Sequence, residues 1–360
     1  MNVINIGKYT LIPKKGQSHG DWLSARRKGV GGSDVGTILN LSEYTSTTEL
    51  FYEKLERIAP RDLSENASVH YGTQFEPLIL NESMYFDLEG KENNHIKNMN
   101  EGNKLASHVE FNYMIINSDF PWIISNVDGL GYYDKNVTEQ DIEDQLQAGI
   151  MPTPDYIVEI KTMDPKVRDK FEDGMRPEYR MQVKTYCTAF LEQNKDIYGI
   201  IYKWCYDKKL TATHVELDKK SIDDILTKSK EFNELVSQGR VIIENGYKNN
   251  FLSENEINQS LSEIHPDSVT SLISQGQFLS QMFLSKEFIK ENQTIIGDDE
   301  DLKLGLRHKS INKRIKDLTA EKTSISNHFK MKLVKNKCKV IDLKEKGRVS
   351  FGKRLTINIK

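Results

Sequence analysis

Apolar positions along this chain change their period several times, and each change marks an element. Trp22, Leu23 and Ala25 open a helix that Gly29-Val30-Gly31-Gly32-Ser33-Asp34 interrupts. Ser33 or Asp34 is placed to cap a second helix over Val35–Leu39, and Thr47 or Thr48 a third over Glu49–Leu55. A longer helix around Gly72–Phe86 carries Phe75, Leu78 and Ile79 at helical spacing. The pattern then becomes strand-like in Ala106–Glu110, Met114–Ile116, Trp122–Ser125, Gly129–Tyr133 and Tyr156–Lys161. The acidic stretch 134–155, ending in Pro152-Thr153-Pro154, reads as a surface insertion between two strands. Arg176-Pro177 introduces a helix over Glu178–Phe190. A strand over Ile197–Tyr206 follows, with Thr211–Leu217 as its pairing partner, and then an amphipathic helix over 218–238.

Beyond residue 267 the pattern is mostly helical. Leu302, Leu306, Ile311, Ile315, Leu318, Ile325, Phe329 and Leu333 form an apolar stripe suited to core or partner-helix packing, and Cys338–Lys360 reads as a terminal hairpin. Strands flanked by helices give an α/β class. They divide the chain into a core over 1–240, with 134–155 as its insertion, and a mainly helical, basic region over 241–360.

Composition narrows the picture. The 360 residues are 37% hydrophobic and 29% charged, enough for a large core. No apolar run approaches a membrane span, and Met1–Ile6 lacks the form of a secretory signal. Cys187, Cys205 and Cys338 make neither a disulfide framework nor a zinc pattern, so a reducing cytoplasmic compartment is expected. The 8 histidines show no ligand spacing, and His70, His95 and His108 read as surface or packing residues. The net charge of -3 conceals an asymmetry: residues 301–360 hold 18 Lys and Arg against 5 Asp and Glu, a balance of +13. Such a segment can offer a phosphate-binding surface, and a solvated Lys-rich helix accounts for the charge equally well.

The chemistry gathers around Tyr156–Thr162. Side chains alternate along a strand, so Glu159 and Lys161 share one face while Val158 and Ile160 take the other. An acid and an amine on one face, with Asp128 at the end of a neighbouring strand and Glu76 on a helix with an apolar face, can hold a divalent metal beside a water. Charges inside an apolar strand are costly unless paired or metal-bound.

Five segments follow in a recognisable order: Arg26 to Ser33, Gly72-Thr73-Gln74-Phe75-Glu76-Pro77, Asn126-Val127-Asp128-Gly129, Glu159-Ile160-Lys161-Thr162, and Pro177 to Tyr186 with Gln182. Together they resemble the PD-(D/E)XK nuclease superfamily, in its lambda-exonuclease-like, YqaJ-type viral recombinase branch. Two departures stand out: Val127 replaces the proline of the Asp-Gly box, and the stretch from Gly131 to Tyr156 is longer than the usual hairpin.

The resemblance implies a restriction-endonuclease-like core with a central mixed sheet flanked by helices, followed by a helical C-terminal extension ending in a hairpin. It implies that Glu76, Asp128 and Glu159, with the Ile160 carbonyl, ligate one or two Mg²⁺ ions, Mn²⁺ being an alternative. Lys161 would orient or help deprotonate the attacking water, provided its pKa is lowered. Gln182 would hold the water or the phosphate. Arg26 and Ser33 would grip a terminal 5′-phosphate, and Tyr186 joins them among the expected DNA-binding residues. The expected activity is a 5′-to-3′ exonuclease on linear double-stranded DNA in phage-type recombination. The expected setting is the cytoplasm of a bacterial host, with a single-strand annealing protein as partner and a homo-oligomer, a trimer by resemblance. An endonuclease or nickase on the same core, and a non-catalytic DNA-end-binding scaffold, stand as alternatives. Three scattered cysteines cannot supply the four cluster ligands of a Cas4-like nuclease. Outside the resemblance, the charge asymmetry alone nominates Lys309, Lys313, Arg314 and Lys316 for DNA binding.

Overall fold

A computed structural model describes residues 3–266, with gaps at 17, 43, 60–64, 89–94, 166–168, 170–174, 206–208 and 249–253. Beyond that it describes Ser310, Arg314, Leu318, Ile325 and three strands near the C-terminus. The elements run β1 (Ile4–Ile6), β2 (Tyr9–Pro13), α1 (His19–Arg27), β3 (Val30–Gly31), α2 (Gly32–Ile38), α3 (Thr47–Lys54), α4 (Ala67–Ser83) and α5 (His95–Asn100). There follow β4 (Ser107–Glu110), β5 (Tyr113–Asn117), β6 (Ile123–Ile124), β7 (Gly129–Tyr132), α6 (Glu139–Gln147), β8 (Tyr156–Met163), α7 (Pro177–Thr188), β9 (Tyr198–Cys205), β10 (Lys209–Val215), α8 (Lys219–Lys248) and α9 (Glu254–Ile264). The last strands are β11 (Val340–Asp342), β12 (Gly347–Phe351) and β13 (Leu355–Ile359). The chain falls into two compact units, Met1–Ile289 and Lys290–Lys360, and α8 runs across residue 240.

The first unit is built on a five-stranded sheet in the order β10-β9-β8-β7-β4. It is mixed: β8 and β9 are parallel, with Glu159 opposite Ile201 and Lys161 opposite Lys203, and every other pair is antiparallel. Parallel neighbours need a crossover, and α7 provides it. Because β8 is covered on both faces, Tyr156–Ile160 is buried without interruption. Ile157 joins a core with Val183 and Tyr186 of α7, whereas Tyr156, Val158 and Ile160 pack with Ile79 of α4. Thus α7 lies against the face that carries Glu159, and α4 against the other. At Gly199, opposite Ile157, an added Cβ would sit 2.0 Å from Val183 Cγ1, so this approach of α7 to the sheet requires glycine.

A buried polar chain fixes α4. His108 on β4 is hydrogen-bonded through Nδ1 to Ser83 Oγ of α4 (2.6 Å) and through Nε2 to Tyr156 OH of β8 (2.8 Å). Burial pushes the His108 imidazole down to about 3, so it is neutral, in keeping with a packing role.

Several boundaries depart from the sequence reading. The α2 helix begins at Gly32, earlier than expected, with Gly31 as N-cap; Asp34 instead accepts from Gly31 N (2.8 Å). Ser46, rather than Thr47 or Thr48, caps α3. The insertion contains α6, capped by Thr138, and α6 buries Ile142 and Leu146 in the core shared with Val183. The antiparallel hairpin β1–β2 has no counterpart in that reading; β2 pairs with β5, Leu11 opposite Ile115, across about a hundred residues of chain.

Taken by itself, the second unit contains a three-stranded antiparallel sheet, β11-β12-β13, in place of the expected two-stranded hairpin. Within the apolar stripe, Leu318 and Ile325 are helical and exposed; the other stripe residues lie outside the described ones. Among the described residues, no helix is long and apolar enough to cross a membrane.

Candidate active site

Glu159 stands at the middle of the site. Its carboxylate, 1% exposed, is held through Oε1 by Lys161 Nζ from the same strand and by Gln182 Nε2 of α7 (2.8 Å). Gln182 is itself 2.9 Å from Tyr186 OH. Glu159 Oε2 is buried and accepts from no donor, and the Asp128 carboxyl is close enough to the Glu159 side chain to share a proton with it. A carboxylate oxygen without a donor in such a place is costly.

Asp128 comes from the turn into β7. Its Oδ2 accepts from Ile160 N (2.8 Å), which ties the Asp-Gly box to the strand carrying Glu159. Glu76 arrives on α4, from the opposite side of the sheet. Burial, and then the charge of Asp128, pushes the Glu76 carboxyl up to about 7 and raises that of Glu159 as well. Asp128 thus raises both glutamates, and a cation beside it would relieve the repulsion. Carboxylate oxygens are hard donors of the kind Mg²⁺ prefers, and Glu159 Oε2 fits the same use. Among the described residues, no three acidic, histidine or cysteine side chains already surround a common point as ligands of one ion.

For Lys161 the lowered pKa set as a condition for base catalysis is absent. Burial pulls its ammonium down, but Glu159 and Asp128 outweigh that and hold it above the ordinary lysine value. The ammonium also lies 5.2 Å from the centre of the Tyr179 ring on α7.

A second lysine was missed by the sequence reading. Lys14, just after β2, donates from Nζ to Val127 O (2.6 Å), at the peptide that leads into Asp128. Nothing local marks it; only the pairing of β2 with β5 brings it there.

The glycine-rich segment forms a distinct cluster. Arg26, on the last turn of α1, donates from Nη2 to Ser33 Oγ and lies over the Trp22 ring at 5.3 Å. The structure therefore brings Arg26 and Ser33 together, with Arg26 about one-third exposed. Beneath them Lys54 Nζ pairs with Asp34 Oδ2 (2.6 Å) and donates to Gly29 O (2.7 Å). Although burial alone would raise it, the Asp34 carboxyl is held below its ordinary value by Lys54 and Arg26. The turn is thus pinned from below by a buried ion pair whose members are partnered by backbone as well.

Tyr186 links the two clusters. It is buried, and an added Cβ at Gly32 would lie 2.3 Å from its ring. Its place is between Gly32 and Gln182 in the interior, where its hydroxyl accepts from Gln182 Nε2. Among the C-terminal candidates, Arg314 is helical and exposed, while Lys309, Lys313 and Lys316 lie outside the described residues.

The segment that carries this site is similar to known proteins. Residues 21–189 match the YqaJ-like viral recombinase domain. Over 109 residues the chain is 28% identical to the uncharacterized protein YqaJ of Bacillus subtilis (strain 168), a match covering 30% of this chain and 31% of that one. Among solved structures, an alkaline exonuclease (LHK-Exo) from Laribacter hongkongensis is 16% identical with a TM-score of 0.42, covering 64% of this chain and 98% of its own. A phage related exonuclease from Haemophilus somnus 129PT is 13% identical with a TM-score of 0.36, covering 60% and 99% respectively. All five boxes lie inside the matched segment, with Glu76, Asp128, Glu159, Lys161 and Gln182 among their residues: it is over 21–189 that the chain is similar to the YqaJ-like viral recombinase domain.

Proposed function

We propose that this chain is a metal-dependent deoxyribonuclease that degrades linear duplex DNA from its 5′ ends. The observation that carries the reading is the buried Glu159 carboxylate: one oxygen is held by Lys161 and Gln182, the other accepts from no donor, and burial, then the charge of Asp128, raises both this carboxyl and that of Glu76. Burying that much negative charge makes sense at a cation site and is hard to justify in a structural core.

Glu76, Asp128, Glu159 and the Ile160 carbonyl are the residues that would hold Mg²⁺ or Mn²⁺. When bound, such an ion neutralises charge developing at the scissile phosphate and favours hydroxide over water. Gln182, fixed by Glu159 and Tyr186, orients a water or a phosphate oxygen. Lys161 acts in its protonated form, donating a hydrogen bond and a positive charge to the reacting phosphate. Arg26 and Ser33 present a guanidinium and a hydroxyl to a terminal 5′-phosphate, with the Lys54–Asp34 pair keeping the turn in place.

End-labelled linear duplexes, with 5′-phosphate or 5′-hydroxyl ends, and closed circular DNA should be digested with Mg²⁺. The reading expects loss of linear DNA from its ends, preference for the phosphate and intact circles. Asp128→Ala and Glu159→Ala should be folded and inactive. Cleavage of circles at the linear rate would make the enzyme an endonuclease, and full activity in either variant would remove the assigned centre.

A further inference from the structure

Lys14 has no role in the reading above, yet it is built into the cluster. Its backbone N–H donates to Asn112 O (2.7 Å), which pins its main chain to the connection from β4 to β5. Its ammonium donates to Val127 O, and Val127 is wholly buried. The Val127–Asp128 segment is therefore held twice, by Lys14 at the carbonyl and by Ile160 N at the carboxylate. Burial pulls this ammonium below the ordinary lysine value, and the charges of Asp128, Glu76, Glu110 and Glu159 act against that pull to keep its proton. The geometry sets the ammonium against the peptide bond that leads into Asp128, so it acts on that carboxylate both as a tether and as a neighbouring charge.

We propose that Lys14 is a positioning residue for the carboxylate cluster: it orients the peptide that carries Asp128 and, as a fixed positive charge, weakens the cluster's affinity for divalent cations. This rests on reading the cluster as a cation site. The charge and the hydrogen bond make separable contributions. A fixed ammonium repels an incoming divalent ion at any binding equilibrium, whereas the tether to Val127 O determines where Asp128 points once the ion is present.

Mn²⁺ binding to the DNA-free full chain, measured by calorimetry on wild type, Lys14→Gln, Lys14→Met and Lys14→Arg, tests the idea alongside kcat and KM on linear duplex. Lys14→Gln keeps a donor for Val127 O and loses the charge, so it should bind Mn²⁺ about three- to tenfold more tightly than wild type. Lys14→Arg keeps the charge and should match wild-type affinity. Lys14→Met should bind tightly but turn over more slowly than Lys14→Gln, with KM for DNA unchanged. A merely structural lysine would lower affinity or stability without ever tightening the cation. Should Lys14→Met fail to fold, the glutamine and arginine variants decide. Wild-type or weaker Mn²⁺ affinity in Lys14→Gln would overturn the proposal while leaving the cation site intact. No Mn²⁺ binding by wild type would remove the site and the proposal together.

Discussion

Asp128→Asn offers a test that does not depend on catalysis. The substitution leaves an oxygen to accept from Ile160 N but deletes the charge that helps to raise Glu76 and Glu159. A carboxyl with a higher pKa in the fold than in the unfolded chain binds its proton more tightly when folded. Its contribution to stability is present below the unfolded value and is lost as pH rises through the folded one. For Glu76 the window runs from 4.5 to about 7. At 1.36 kcal/mol per pH unit the full shift is worth about 3 kcal/mol, which solvent screening of this half-buried group cuts to about 1–2 kcal/mol. Glu159 adds to the loss in the same direction. Metal-free wild type should therefore be less stable at pH 8 than at pH 5, by a few degrees in Tm. In Asp128→Asn burial still raises both groups, but the neighbouring charge is gone. The loss between the two pH values should shrink by about 1 kcal/mol. Calorimetric unfolding in a chelator at both pH values gives the comparison, and groups that titrate elsewhere cancel between the two proteins. Equal pH dependence in the two would refute the claim that these carboxylates feel one another.

Arg26→Ala should lose about ten- to a hundredfold of any preference for 5′-phosphorylated over 5′-hydroxyl ends, since a charge-assisted hydrogen bond contributes about 1.5–3 kcal/mol; competition between the two labelled ends measures it. Gly32→Ala would press a methyl group into the Tyr186 ring, and denaturant unfolding should show a loss of about 1–3 kcal/mol. Neutralising Lys309, Lys313, Arg314 and Lys316 together should weaken DNA binding and flatten its salt dependence by about 0.9 in log–log slope for each phosphate no longer neutralised, without slowing turnover on saturating DNA.

The parts of the site that are local in sequence were legible. Strand alternation put Glu159 and Lys161 on one face, and the Asp128-Gly129 pair ends one strand-like segment and begins the next, as a turn residue should. Ile79, at helical spacing from Phe75, does face the sheet. What stayed hidden depends on distant pairing. Lys14 is unremarkable until β2 meets β5, and Lys54 looks like a surface lysine until α3 brings it beneath Gly29 and Asp34. That the Tyr186 ring packs against Gly32 in the interior is likewise invisible until α2 meets α7. The insertion reads as surface because its acids cluster between Glu139 and Asp144 and it ends in Pro152-Thr153-Pro154, although Ile142 and Leu146, one turn apart on α6, are enough to anchor it. The pKa of Lys161 could not be foreseen, because burial and Glu159 act in opposite directions and only geometry shows which prevails.

The early strand β2 also bears on how the chain matures. Its partner β1 is adjacent in the chain, but its other edge is filled by β5, about a hundred residues later. At about 5–20 residues per second, a translating ribosome delivers that partner roughly 5–20 s afterwards. Until then Leu11 and Ile12, buried in the finished fold, have no partner on that side, and Lys14 has no Val127 carbonyl to hold. Residues 156–163, which bring Glu159, emerge later still. The carboxylate cluster therefore closes only after nearly half the chain has been made, and the nascent protein passes through synthesis without an assembled cation site.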